Sequence, residues 1–386
     1  MTDPALLRLE RRAFAVGAVA LVAAGIGGAF SPAAFFHAWL ASWLFWLSIP
    51  LGALAIVMLH YLSGGSWGIV IRRVSESTAA TLPLLALLFV PVAIGVRAIY
   101  EWAGPTVAAD PALHFKHTYL NVPFFLARAV FYFVAWIVVA RIFVRWSEQR
   151  DLVADPDPDP RRFRLFAGPG LVVYGITITF ASIDWAMSIE PHWSSTVYPM
   201  MFAVGQVLTG FAFTITMAIL LRDRQPFGRL INPPNLIDLG NLMLAFVLLW
   251  AYLAFSQFML IYAANIREEV TWYLVRERPG WLAVALLLIG AHFALPFALL
   301  LQRAVKRNPV SLAGVAILIL FMRLVDDYWL VLPGMRGAEG FHWLYVVTPL
   351  AVGGLWLAAF ARRLRGLALV PGNDPLVEQA MAAHGH

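Results

Sequence analysis

The chain contains ten long apolar segments, at residues 12–30, 37–62, 79–100, 121–144, 166–189, 196–221, 239–264, 280–302, 309–329 and 342–362. Roughly 20 apolar residues of helix cross a bilayer core, and every backbone N–H and C=O in that core needs a partner within the protein. A sequence of this pattern is therefore expected to fold as a helical bundle in a membrane. Composition agrees: 61% of residues are hydrophobic and 13% charged, with a mean hydropathy of +0.75, well beyond ordinary soluble domains. The expected class is all-α integral membrane, with ten transmembrane helices.

Loop charge gives the expected orientation. Arg8, Arg11, Arg12, Arg72, Arg73, six arginines from Arg141 to Arg164, Arg222, Arg224, Arg229, Arg303, Lys306, Arg307, Arg362, Arg363 and Arg365 all fall on one side of a ten-span layout. They account for twenty of the 28 basic residues, and the excess of Lys and Arg in cytoplasmic loops puts both termini in the cytoplasm. The net charge of +6 sits at the ends of apolar segments rather than in a separate basic patch, so nucleic acid is not an expected partner. The first apolar run is longer than a secretory h-region and reads as a retained span. The Pro- and Asp-rich run ADPDPDPRR (154–162) cannot continue a helix and reads as an exposed loop, not a domain boundary. Pro83, Pro91 and Pro123 fall in or near spans, where a kink is tolerated if neighbours satisfy the freed carbonyls.

The chain has no cysteine and nine histidines. Thiolate-held iron–sulfur clusters, covalent c-type haem, Cys-bound zinc and disulfides are excluded, while histidine-ligated groups stay open. No metal-ligand spacing, phosphate loop or nucleophile elbow is present.

An ionisable side chain in a span costs on the order of 2.5–3.5 kcal/mol on insertion scales, so each one is a candidate functional group. Asp184 stands first. At 100° per residue, Tyr174, Thr177, Asp184 and Ser188 fall within about 80° of one another, making one polar stripe on the fifth span. Such a stripe handles ligand or protons, or fixes packing against a facing helix. Glu190 and His192 follow in EPHW, where they could take protons from a substrate or close a short loop as an interfacial pair. Arg97 and Glu101 lie one turn apart at the outer end of the third span, a spacing that permits an ion pair. Gln257 is inside the seventh span, with Asn265, Arg267, Glu268 and Glu269 at its outer end, and Arg323, Asp326 and Asp327 close the ninth. These last two groups read as solvated interfacial clusters. His60 and His292 sit alone in apolar sequence; their predicted depths differ, which argues against a shared haem, and His292 is a candidate proton relay.

Several long motifs carry a resemblance. GGSWGIVIRRV (64–74), KHTYLNVPFFLARAVFYF (116–133), FASIDWAMSIEPHWSSTVYPM (180–200) and FSQFMLIYAANIREEVTWYLVR (255–276) resemble the smaller NrfD-like, polysulfide-reductase-C-like membrane subunit of alternative complex III, the ActF type, over nearly the whole chain. The resemblance implies two four-helix bundles flanked by one peripheral helix at each end. Here that corresponds to 1–34 for the N-terminal tail and first helix, 35–190 and 191–338 for the bundles, 339–364 for the tenth helix and 365–386 for a cytoplasmic tail. It implies a subunit of a quinol:electron-acceptor (cytochrome c type) oxidoreductase in a bacterial inner membrane. Such a subunit carries no covalently bound cofactor and is not catalytic alone. Its implied partners are a larger NrfD-like paralogue, an iron–sulfur subunit, c-type haem subunits, small membrane subunits, lipid and quinone.

By position, Asp184, Glu190 and His192 match the family's DW…(E/D)PHW motif, and Gln257 with Glu268 and Glu269 matches its FSQ…EE motif. Asp184, Glu190, His192, Gln257, Glu268, Glu269, Arg97 and Glu101 are thus the quinol and proton candidates, with His292, Asp326, Asp327 and His60 as proton-path candidates. A scaffold whose paralogue carries the quinol site is the alternative. A proton-coupled transporter is a third reading, disfavoured because paired helix interruptions of the inverted-repeat kind are absent.

Overall fold

The structure, a computed structural model, describes residues 4–104, 110–152, 161–335 and 340–382, with 111 and 112 described by backbone alone. All regular structure among these residues is helical, and 10 helices are long and apolar enough to cross a membrane. They run Pro4–Phe30, Pro32–Ser63, Trp67–Ile94, Val122–Asp151, Arg161–Ile189, Tyr198–Leu220, Pro233–Ala264, Pro279–Leu301, Pro309–Gly334 and Leu344–Arg365. This is an all-α, multi-pass integral membrane protein. Most of the Pro- and Asp-rich run 154–162 lies outside the described residues.

Helix starts follow from local chemistry. Three spans open on an asparagine cap with proline in the first turn. Asn121 Oδ1 accepts from Phe124 N at 2.9 Å, Asn232 Oδ1 from Asn235 N at 3.1 Å, and Asn308 Oδ1 from Val310 N at 2.9 Å. The side chain satisfies an orphan N–H, and proline occupies a place where no donor is needed.

The third span departs from expectation. Predicted at 79–100, it begins at Trp67, so Arg72 and Arg73 lie inside it and are buried. Hydropathy pushed the arginines outward; the structure keeps them in because carboxylates meet them, as described below. The same span is broken into Trp67–Ala79, Leu82–Leu87 and Val90–Ile94 around Pro83 and Pro91. Trp39 and Trp43 of the second span donate their indole N–H groups to the carbonyls of Leu88 and Leu85, both at 2.9 Å. Pro349 leaves the Tyr345 carbonyl without its helical donor. The Tyr328 hydroxyl donates to that carbonyl at 2.9 Å and also bonds Ser42 Oγ. In the eighth span, Leu288–Ala294 widens into a π-helical segment that carries His292.

The second to fifth spans pack as one bundle and the sixth to ninth as another, with the second and sixth forming the shared wall. At that wall Gly52 and Gly210 let the backbones touch: a methyl group at Gly52 would overlap the Gln206 carbonyl. Without hydrophobic drive between helices in lipid, such close approach supplies the packing energy. The first and tenth spans, which flank the bundles in the chain, lie against each other and cross at Gly17 and Gly354. The tenth span also packs on the second.

The arginine-bearing ends of the spans gather at one end of the molecule. There the tail folds back over them. Asp374 pairs with Arg72 and, at 2.5 Å, with Arg150. Gly372 N donates to Asp151 Oδ1 at 2.8 Å, and Asn373 Nδ2 to the Arg150 carbonyl at 3.1 Å. Arg73 is held by Asp151, Glu76 and Ser147. The short tail helix Leu376–Ala382 then accepts, through the Ala380 carbonyl, from Asn232 at 2.9 Å and Asn235 at 3.1 Å at the start of the seventh span. One segment thus touches both bundles.

Candidate functional site

Polar groups away from the arginine-rich end fall into three sets. The first surrounds Asp184. All four residues of the predicted stripe are buried: Tyr174 donates to Gln206 Oε1 at 2.9 Å, Trp136 donates to Thr177 Oγ1 at 2.8 Å, and Ser188 Oγ donates to the Asp184 carbonyl at 2.6 Å. The Asp184 carboxylate receives Arg128 Nε at 2.7 Å and Nη2 at 2.8 Å in a fork, and the Tyr132 hydroxyl at 2.8 Å. Arg128 in turn lies 3.9 Å over the Tyr119 ring and donates to the Tyr119 carbonyl. A bidentate guanidinium with a third donor compensates the buried charge as fully as side chains can. Arg128 and Tyr132 escaped sequence reading, although both sit in the 116–133 motif. Their spacing of one helical turn, on the face opposite a lone aspartate, was the available signal.

The second set separates the neighbours Glu190 and His192. Glu190 turns inward to Arg276 Nη1 at 3.0 Å. Arg276 is buried against the Trp272 ring at 3.5 Å and donates to the carbonyls of Trp272 and Leu330, both at 2.8 Å. Burial pulls the Arg276 guanidinium below the ordinary arginine value, with the facing Glu190 opposing. Glu190 also rests on Gly334, where any side chain would overlap the carboxylate. His192 instead faces outward, half exposed, with Nε2 3.2 Å from Asp110. Gln257 is buried in the seventh span and accepts from Ser195 Oγ at 2.5 Å, so the EPHWSS and FSQ stretches meet. Its Nε2 has no hydrogen-bond partner among the described residues. Glu268 is exposed and Glu269 half-buried in the first turn of the short helix Arg267–Arg276, where acidic residues favour the helix start. Arg97, exposed, and Glu101, half-buried, lie at the end of the third span.

The third set corrects an expectation. Arg323, Asp326 and Asp327, read from sequence as a solvated interfacial cluster, are each about 1% exposed. The i, i+3 and i+4 spacing lets one guanidinium reach both carboxylates on its own helix, and that face turns into the second bundle. Arg323 pairs with Asp326 and, at 2.7 Å, with Asp327, and reaches Thr209 Oγ1 of the sixth span at 3.3 Å. Trp250 of the seventh span donates to Asp326 at 3.0 Å, and its ring meets His292 at 4.1 Å between centroids. Among the described residues, Asp327 Oδ2 and both ring nitrogens of the fully buried His292 have no hydrogen-bond partner. Four spans therefore converge on one incompletely satisfied polar cluster. Gly205 makes room for it, since a methyl group there would strike the Arg323 guanidinium.

His60 lies elsewhere, in the second span near the arginine-rich end, with Nε2 3.0 Å from the Gly65 carbonyl and its ring packed edge-on against Trp67. Its ring contacts, Tyr61 and Trp67, differ from that of His292, Trp250. Among the described residues no group of three or more His, Asp or Glu side chains is arranged to hold a metal ion. No protein-family model matches the chain, and no curated protein matches it.

Proposed function

We propose that this chain is an NrfD-like membrane subunit of a quinol:electron-acceptor oxidoreductase of the alternative complex III type, contributing quinol binding or proton conduction beside cofactor-bearing partners. The Arg323, Asp326, Asp327 and His292 cluster is the observation that carries this reading. One guanidinium faces two carboxylates in the interior of an apolar bundle, so the group is neutral only with a proton aboard, and an uncompensated buried charge is costly. His292, with neither ring nitrogen bonded to the described residues, lies beside it as the relay, and buried polar atoms of this kind ordinarily complete their bonds with ordered water.

Oxidation of a quinol releases two protons and two electrons. The electrons go to haem and iron–sulfur groups in partner subunits, since a chain without cysteine holds no such cluster by thiolate. Proton handling is what this subunit's own residues can supply. The arginine-rich end faces the cytoplasm of a bacterial inner membrane in this reading, with both termini there; Glu190, His192 and Gln257 then lie toward the outer side.

In the assembled complex, Asp327→Asn and His292→Ala are expected to lower protons released per electron pair while the complex still assembles. Unchanged proton stoichiometry and unchanged quinol-dependent electron transfer in both variants would remove the proton role. The scaffold reading is favoured by one observation, the full compensation of Asp184 by Arg128 and Tyr132. An Asp184→Asn variant that assembles with normal electron transfer would assign that carboxylate to architecture alone.

A further inference from the structure

At the arginine-rich end, a cavity of about 360 Å³ opens between the first, third and tenth spans. Its inner wall is apolar, built from Phe14, Leu84, Leu355 and Ala359, and Arg11 and Arg362 stand at its rim. The arrangement follows from helix geometry. Phe14 lies one turn inward of Arg11, and Leu355 two turns inward of Arg362, so each helix presents a cation toward the water and apolar groups toward the bilayer centre. The Gly17–Gly354 crossing brings the two helices together on the far side of these apolar residues.

The carboxylates near this rim are taken by other arginines. Arg365 pairs with Glu10 at 3.2 Å, Arg363 with Glu148, and Arg72, Arg73 and Arg150 with the tail and its neighbours. Arg11 and Arg362 are exposed and have no carboxylate partner among the described residues, and the one acidic residue lining the cavity, Glu10, is already engaged by Arg365.

We propose that this crevice binds an anionic phospholipid, with the phosphate between Arg11 and Arg362 and one acyl chain along Phe14, Leu84 and Leu355. Basic pockets between spans at a membrane face are suited to anionic headgroups. A helix is about 10–12 Å across with its side chains, whereas a single hydrocarbon chain is slimmer and suits a cavity of about 360 Å³. The lipid would then seal the seam between the paired first and tenth spans and the first bundle, a role independent of what the protein does with quinol or protons.

Native mass spectrometry and thermal unfolding of the full chain in detergent micelles test this, with phosphatidylglycerol, phosphatidylcholine and inorganic phosphate as separate additions. Phosphatidylglycerol is expected to be retained and to raise the unfolding temperature, while the other two do neither. The Arg11→Gln/Arg362→Gln variant should bind phosphatidylglycerol more weakly by on the order of tenfold, and Arg8→Gln/Arg12→Gln should not. Ala359→Phe, which fills the slot and keeps both cations, should also lose the lipid and guards against misfolding of the arginine variant. Equal retention of the two phospholipids, stabilisation by phosphate alone, undiminished binding by the arginine variant, or a partner helix seated in the crevice of the assembled complex would each overturn the proposal.

Discussion

Asp184 and Asp327 are both buried aspartates in apolar helices, and the difference between them lies in their partners. Asp184 has a forked arginine and a tyrosine; Asp327 shares Arg323 with Asp326 and keeps one oxygen unbonded among the described residues. Removing the partner of a buried charge costs about 3–5 kcal/mol. Arg128→Gln should therefore lower the unfolding temperature of the detergent-solubilised protein strongly, and adding Asp184→Asn should recover much of the loss. Asp184 could be picked out by eye because its stripe repeats with helical period on a single segment. Arg128 could not, because a lone arginine near a span end looks the same whether it faces lipid headgroups or a carboxylate 56 positions away. The Arg323 cluster misled for the opposite reason: three charges near the end of an apolar run imitate a helix end, and only the facing residues Thr209 and Trp250 turn them inward.

The spans themselves were legible because bilayer thickness fixes their length, and their starts were readable where asparagine precedes proline. Where the third span begins was not, since the carboxylates that accommodate Arg72 and Arg73 come from distant segments. Its interruptions also depend on the second span. Trp43→Phe should leave the Leu85 carbonyl without its indole donor and cost about 1–3 kcal/mol, with Trp39→Phe behaving alike toward Leu88; hydrogen exchange in residues 82–94 would register both. The glycine crossings are a second case of elements setting one another's sequence. Gly52→Val should force the second and sixth spans apart and lower stability by about 1–3 kcal/mol or more, whereas the same change at Gly25, which has open space around it, should not. Thermal unfolding of the pair of variants makes the comparison.

Across the whole molecule the two bundles are tied at both ends, by Glu190 with Arg276 at one and by the 372–382 tail at the other. Burial by itself would raise the Asp374 carboxyl, but Arg72 and Arg150 outweigh it and hold the group below the usual aspartate range. A depressed folded value means the tie contributes fully above the ordinary aspartate pKa and is lost only as pH falls through the lower folded value. Limited proteolysis should accordingly find the tail protected at both pH 7 and pH 5, with Asp374→Asn exposing it at either. The basic residues told that this end is charged; that the tail crosses it was hidden, because GNDP is too short to carry a pattern and its partners lie more than two hundred positions back.

The pairing of the first span with the tenth also has a consequence for how the protein is made. Of the ten spans, the first packs chiefly on the tenth, through Gly17 and Gly354, so it must wait in lipid while the eight spans between them are inserted. That contact closes only once the tenth span is in place, and a chain released before then would leave the first span without its main partner.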